Sequence, residues 1–189
     1  MRKLLALVVS LLCISSLAGC GGGNSGSNGG EWKTVEASGF SYEVREGWHS
    51  DTMGGGNFTN TLYSPTGGNQ RAASLQVFAT HELLSNDGSV VELSYQEMVK
   101  KIESSFSRDT QGNMTTDYED VLIGTIGEYA RGTATALVYQ NGELLYKGLS
   151  AVFFTSPNSQ VEINFSCPPS EFDNYQSEME HVINSFKLK

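Results

Sequence analysis

Glu128 to Cys167 reads EYARGTATALVYQNGELLYKGLSAVFFTSPNSQVEINFSC, and this stretch decides the fold. Asn141-Gly142 supplies the two positive φ values of a type I′ turn, whose twist matches that of the strands it joins. The spacing predicts a hairpin, with Glu128–Tyr139 running into the turn and Leu144–Thr155 returning from it. Pro157-Asn158-Ser159 turns the chain again. Beyond it Val161, Ile163, Phe165 and Cys167 alternate with Glu162, Asn164 and Ser166, the period of two of a half-buried strand. These strands form an antiparallel meander. The middle one carries Leu145, Leu149 and Phe153 on one face and Leu144, Tyr146, Val152 and Phe154 on the other. A strand apolar on both faces must be covered on both.

Two amphipathic helices can supply that cover. Ser94-Tyr95-Gln96-Glu97 is a capping box, in which the serine caps the helix and the glutamate reaches back. Tyr95, Met98, Val99, Ile102 and Phe106 follow at helical spacing, which predicts a helix over 95–107. Pro168-Pro169 stops the last strand, and Ser170 reads as an N-cap with Asp173 at the third helical position. Phe172, Tyr175, Met179, Val182, Ile183 and Phe186 form the second stripe.

Upstream, Phe40, Tyr42 and Val44 alternate with polar residues as far as Gly47-Trp48. Thr59–Tyr63 and Ser74–His81 read as strands, Val90–Leu93 as a brief one, and Asp117–Ile123 as another before the meander. Gly54-Gly55-Gly56-Asn57 and Pro65-Thr66-Gly67-Gly68 read as loops. The order predicts an α+β fold: an antiparallel β-sheet with helices packed on both faces, an α-β-α sandwich.

Gly39-Phe40-Ser41-Tyr42 leading to Gly47-Trp48, a middle helix, a long meander and a final Val182-Ile183-Asn184-Ser185-Phe186-Lys187 together resemble the PsbP-like family. The resemblance spans about residues 32–189. It implies the same sandwich, and a binding or accessory role more often than catalysis.

The chain begins with a different kind of segment. Met1-Arg2-Lys3 is a positive start, and Leu4 to Ile14 is an apolar run of 11 residues. That run is too short to cross a bilayer core of about 30 Å as a helix, but it suits a secretory leader. Leu17-Ala18-Gly19-Cys20 closes it and resembles the lipobox of bacterial lipoproteins. The resemblance implies diacylglycerol on the Cys20 thiol and cleavage before Cys20. Two or more acyl chains anchor stably where one does not. The expected location is the extracytoplasmic face of a cell membrane.

Gly21–Gly30, GGGNSGSNGG, is a tether reaching roughly 17 Å. Its literal G-x-G-x-x-G lacks the flanking strand and helix of a dinucleotide site. The expected organisation is a leader over 1–19, a lipidated cysteine and tether over 20–30, and one domain over 31–189.

The formal net charge is −9, and loss of Arg2 and Lys3 with the leader leaves 10 basic against 21 acidic residues, a net −11. Such a body is repelled by nucleic acid, and no nucleic-acid partner is expected. Cys167 is the only thiol left after Cys13 goes with the leader and Cys20 to lipid, so no intrachain disulfide is possible. It closes an apolar strand and reads as a buried, inert thiol.

No motif for chemistry stands out. His81-Glu82-Leu83-Leu84-Ser85 begins like a zinc-protease helix but has Ser85 where the second histidine belongs. His181 sits beside Glu178 and Glu180 and reads as a solvated surface residue, as does His49. Asp117, Glu119 and Asp120 lack the alternating pattern of a calcium loop. No cofactor or metal is expected.

The glycine loop remains. Gly54, Gly55, Gly56 and Phe58, with Trp48 before them, read either as a mobile hairpin connection or as a recognition loop with Trp48 and Phe58 as apolar anchors. The expectation is a lipid-anchored, non-catalytic binding or accessory domain with an unidentified protein or small-molecule partner. Two alternatives stand beside it. One is a hydrolase assembled from His49, Asp51 and a serine such as Ser64. The other is a small-molecule carrier with a pocket between sheet and helix.

Overall fold

A computed structural model describes residues 31–65 and 73–189. The leader, Cys20 and the tether lie outside these residues, as does most of the turn at Pro65-Thr66-Gly67-Gly68. The chain forms β1 (Trp32–Glu36), β2 (Phe40–Arg45), β3 (His49–Gly55), β4 (Phe58–Ser64), β5 (Ser74–Thr80) and α1 (Tyr95–Ser105). It continues with β6 (Asp109–Gln111), β7 (Met114–Ile126), β8 (Tyr129–Gln140), β9 (Glu143–Ser156) and β10 (Ser159–Cys167). It ends with α2 (Phe172–Asn184) and β11 (Lys187–Leu188).

The meander forms as its turns dictate. Asn141 and Gly142 have φ of 51° and 87°, and Gln140 pairs with Glu143 across them. Eight strands make one antiparallel sheet in the order β3-β4-β5-β10-β9-β8-β7-β6. One of its pairings is specified by no turn: β10 lies against β5, from Gln160↔Thr80 to Ser166↔Ser74.

β9 is buried on both faces from Ser150 to Phe154, while Leu144 at its start is exposed and Tyr146 half-buried, because the covering helix does not reach that end. Ala151 and Phe153 enter one apolar cluster with Met179, Val182 and Ile183 of α2. Val152 and Phe154 enter another with Met98 and Ile102 of α1. Each fully buried side chain of this size contributes about 1.5–3 kcal/mol. β8 makes room for α1 with small residues. Ala130 and Ala134 lie in the α1 cluster, and a β-carbon on Gly132 would stand 2.3 Å from Ile102 Cγ2.

The class is α+β with antiparallel sheets and few helices, two α-helices among the described residues. The architecture also holds a second sheet that the periodicity does not reveal. β1, β2 and β11 form a three-stranded antiparallel sheet, and Phe40, Tyr42 and Val44 of β2 join the α2 cluster. Phe186, just past α2, stacks on Phe153 at 4.0 Å and on Phe40 at 5.3 Å. The hydroxyls of Tyr42 and Tyr63, 2.7 Å apart and buried, link this sheet to β4.

Local readings need four adjustments. Gly54 and Gly55 lie inside β3 rather than in a loop, because only Gly56 and Asn57 separate the paired Gly55 and Phe58. Gly56, at φ +60°, permits so tight a connection. Val90–Leu93 makes only an isolated bridge, Val90 with Leu84. α1 ends at Ser105, with its capping box formed: the Glu97 carboxylate accepts from the Ser94 N–H at 2.8 Å. Ser170 does not cap α2. Pro169, whose fixed φ suits a helix start, opens a 3₁₀ turn over Pro169–Glu171 that carries the serine past the capping position.

Candidate functional site

The β3–β4 hairpin stands at one end of the large sheet. On the side where α1 covers β8 and β9, the rest of the sheet presents three cross-strand rows. Met53, Asn60, Phe78 and Glu162 form one row. Asp51, Leu62, Gln76 and Asn164 form the next, and Gly55, Phe58, Thr80 and Gln160 the third. The register fixes the side: Glu162 and Gln160 pair with Val152 and Phe154, which pack against α1.

This face is mostly amide and hydroxyl. Gln76 Nε2 donates to Asn60 Oδ1 at 3.1 Å, Ser150 Oγ to Asn164 Oδ1 at 2.8 Å, and the Ser74 and Ser166 hydroxyls meet at 3.0 Å. Set into it, the Phe58 and Phe78 rings stack at 5.6 Å. Met53, Leu62 and Phe58 are 66%, 47% and 40% exposed.

Beside α1 the face turns inward. Gln160 Nε2 donates to Glu162 Oε1 at 2.7 Å, while the buried Gln160 Oε1 has no partner among the described residues. Burial pushes the Glu162 carboxyl above its ordinary value, and nearby Lys101 and the Gln160 donor partly offset the effect. Of these face residues only Phe58 and Gly55, from the glycine loop, and Asp51, from the hydrolase set, stand out in the sequence; Met53, Asn60, Leu62, Gln76, Phe78, Gln160, Glu162 and Asn164 do not. The available signal was the polar phase of β5 and β10, which in one strand reads simply as the solvent side.

Trp48 does not belong to this face. It packs on Phe165, ring centroids 5.5 Å apart, in the α2 cluster on the other side of the sheet. Gly47, at φ +85°, turns the chain so that the indole folds back onto the core. Trp48 and Phe58 are therefore separate, one packed in and one facing out. Gly54, Gly55 and Gly56 shape the hairpin that carries Phe58.

The hydrolase residues are neighbours. His49 and Ser64 are register partners, and His49 Nε2 lies 3.3 Å from Asp51 Oδ2. The two side chains of that ion pair are 59% and 76% exposed, and among the described residues no hydrogen bond joins Ser64 to His49. An activated nucleophile needs its base within hydrogen-bond reach and itself oriented, which this open edge does not provide.

The other candidates also have definite places. His81 Nε2 is 2.9 Å from Thr59 Oγ1. His181 is not a free surface residue: it stacks on Trp32 at 3.7 Å and bonds Glu43 Oε2 at 2.6 Å. Arg45 lies over the same indole at 4.2 Å and pairs with Glu178 at 2.8 Å, so the group ties β1 and β2 to α2. Asp117 pairs with Arg108 at 3.4 Å. Among the described residues, no three His, Cys, Asp or Glu side chains group as metal ligands. Cys167 is buried, and burial, with Glu171 nearby, pushes its thiol up to about 11.

Two shallow pockets lie among the described residues. One, about 270 Å³, lies at the strand ends between Ser38-Gly39 and His81. The other, about 220 Å³, lies between Arg108 and Tyr139. Both fall short of the roughly 300 Å³ at which small-molecule sites begin.

No protein-family model and no curated protein sequence matches the chain. Its structure is similar to the solution structure of cyanobacterial PsbP, CyanoP, from Synechocystis sp. PCC 6803, with a TM-score of 0.59 and 15% identity. The match covers 92% of this chain and 99% of that one. The chain has a PsbP-like fold.

Proposed function

We propose that this chain is a lipoprotein of the extracytoplasmic membrane face, anchored through Cys20, whose PsbP-like domain is a non-catalytic binding or accessory module. The domain is a sandwich with one helix over each face of the large sheet, and it binds where the α1 layer stops. One observation carries this reading: beyond α1, exposed Met53 and Leu62 and the Phe58–Phe78 stack sit among ordered amides and hydroxyls. A broad, rigid sheet that sets a few exposed apolar groups among ordered polar ones suits recognition of another molecule. The hydrolase reading has less support, because its His49–Asp51 pair lies in solvent. The carrier reading has less support, because those two pockets are small. The likeness to CyanoP, at 15% identity, supports the fold and not a role.

The test is affinity capture from the host's own membrane extract, with the wild-type chain and a Phe58→Glu variant side by side. The expected result is a partner retained by the wild type and lost by the variant at an unchanged melting temperature. Equal capture by both would move the binding surface elsewhere. Reproducible turnover of an ester, amide or glycoside by the purified chain would replace the reading altogether.

A further inference from the structure

We propose that the outer edge of β7, residues 117–126, receives an extended segment of a partner protein that carries basic residues next to apolar β-branched ones. This surface lies on the opposite edge of the sheet from the β3–β4 hairpin and is independent of the reading above. β7 pairs with β8 from Met114↔Gln140 to Ile126↔Tyr129, interrupted only at Asp120 and Val121. On its other side β6 pairs only with Met114, Thr115 and Thr116. Among the described residues the sheet ends there, so residues 117–126 have no outer neighbour. At about 3.3 Å per residue this is roughly 33 Å of open backbone donors and acceptors.

Open edges are templates for strand addition, and proteins usually blunt them with charged side chains, proline, bulges or brevity; beyond the bulge at Asp120, the stretch Val121–Ile126 of this edge has none of these. β7 reads MTTDYEDVLIGTI, with neither lysine nor proline, and it is long. Its side chains invite contact: Val121 is 41%, Leu122 70% and Ile123 37% exposed. The β3 edge differs, reading HSDTMGG, polar and ending in two glycines.

The chemistry of the occupant follows from the division of the edge. A register shift lies between Glu119 and Leu122, where Asp120 has a φ of 52°. Before it the edge is acidic: Asp117 is paired with Arg108, and Glu119 and Asp120 have no ion-pair partner among the described residues. After it the edge is apolar. A segment laid antiparallel would place β-branched residues against Val121–Ile126 and cations, toward its own C-terminus, against Glu119 and Asp120. Cross-strand opposite charges and β-branched pairs each add roughly 0.2–1 kcal/mol. A second copy of this chain fits less well. Each copy has a formal charge of −9, and the strand has no lysine or arginine to offset it.

The probe is the peptide Thr-Val-Thr-Val-Thr-Lys-Lys, titrated into the full chain in mild detergent at low salt and followed by amide NMR shifts and fluorescence anisotropy. The expected result is saturable binding below about 1 mM, with shifts concentrated at residues 117–126. A peptide N-methylated at alternate residues should bind at least about tenfold more weakly, because strand addition needs its backbone donors. A Glu119→Lys/Asp120→Lys variant, checked for an unchanged melting temperature, should lose about as much. Failure to bind at about 1 mM, or equal binding of the N-methylated peptide, would overturn the proposal. Dimerisation through the same edge without peptide would give the surface to a second copy and overturn it equally.

Discussion

Gly148 of β9 lies so close to Phe165 of β10 that a β-carbon on it would stand 1.8 Å from the Phe165 backbone oxygen and 2.8 Å from its carbonyl carbon. Glycine inside a strand often marks such an approach of two backbones. Here it sits in the central pairing of the sheet, where neither strand can move aside without disturbing its other neighbour.

Gly148→Ala is therefore expected to cost more than Gly132→Ala. At Gly132 the obstructing atoms belong to side chains on one helix and its C-cap, Ile102 Cγ2 at 2.3 Å and Phe106 Cε2 at 2.9 Å, so α1 can give by a small shift where the β9–β10 backbones cannot. Overpacking of that kind costs roughly 1–3 kcal/mol. Gly124→Ala, with nothing within 4 Å of the new carbon, should be near neutral. Urea denaturation of the three variants checks the order. A Gly148→Ala protein as stable as wild type would show that the β9–β10 approach is looser than described.

Glu162→Gln should stabilise the protein at neutral pH and not in acid. Burial holds the folded-state carboxyl above its ordinary 4.5, so folding favours the protonated form. The stability this contributes is present in full below 4.5 and is lost as pH rises through the folded-state value. Glutamine is neutral throughout and keeps an oxygen to accept from Gln160. The variant's advantage in melting temperature should therefore be absent near pH 4 and present near pH 7. An advantage that does not change between the two would mean that Glu162 titrates as if in solvent.

Cys20→Ala is expected to release the protein from membranes and leave the fold unchanged. The lipid is the proposed anchor, and no helix among the described residues is long and apolar enough to cross a membrane. The acidic body offers no polybasic second anchor. Membrane fractionation in high salt and the melting temperature of the released protein check both halves. Persistent sedimentation would reveal another anchor. A fall of more than about 1–2 °C would show that the tether belongs to the fold.

Much of the fold was legible because its signals are local. Asn141-Gly142 specifies a hairpin by backbone geometry alone, and Val161, Ile163, Phe165 and Cys167 specify a face by their spacing. Ser94 and Glu97 meet within one helical turn. A capping residue three positions from its partner has few ways to find it, so such signals survive any tertiary context. They place the meander, the two helices and the stretch of β9 that is buried on both faces.

The rest depends on residues distant in the chain. β5 lies against β10 across Gln160↔Thr80, a pairing that no turn dictates. That pairing brings Asn60, Gln76, Asn164 and Glu162 onto one surface and leaves it open where α1 ends. Trp48 and Phe58 look alike as exposed aromatics near a glycine run, yet Phe165 takes one into the core and Phe78 holds the other at the surface. His181 reads as solvated until Trp32, 149 positions earlier, stacks on it. By itself the sequence determined the meander, the two helices and the alternating strand Phe40–Val44, because periodicity and turn chemistry act within a few residues; β1, β3, β6 and β11 carry no such local signal. Only the tertiary structure decided which side chains share a face and which edges stay open, because those depend on register between strands whose contacts form only when the whole sheet assembles.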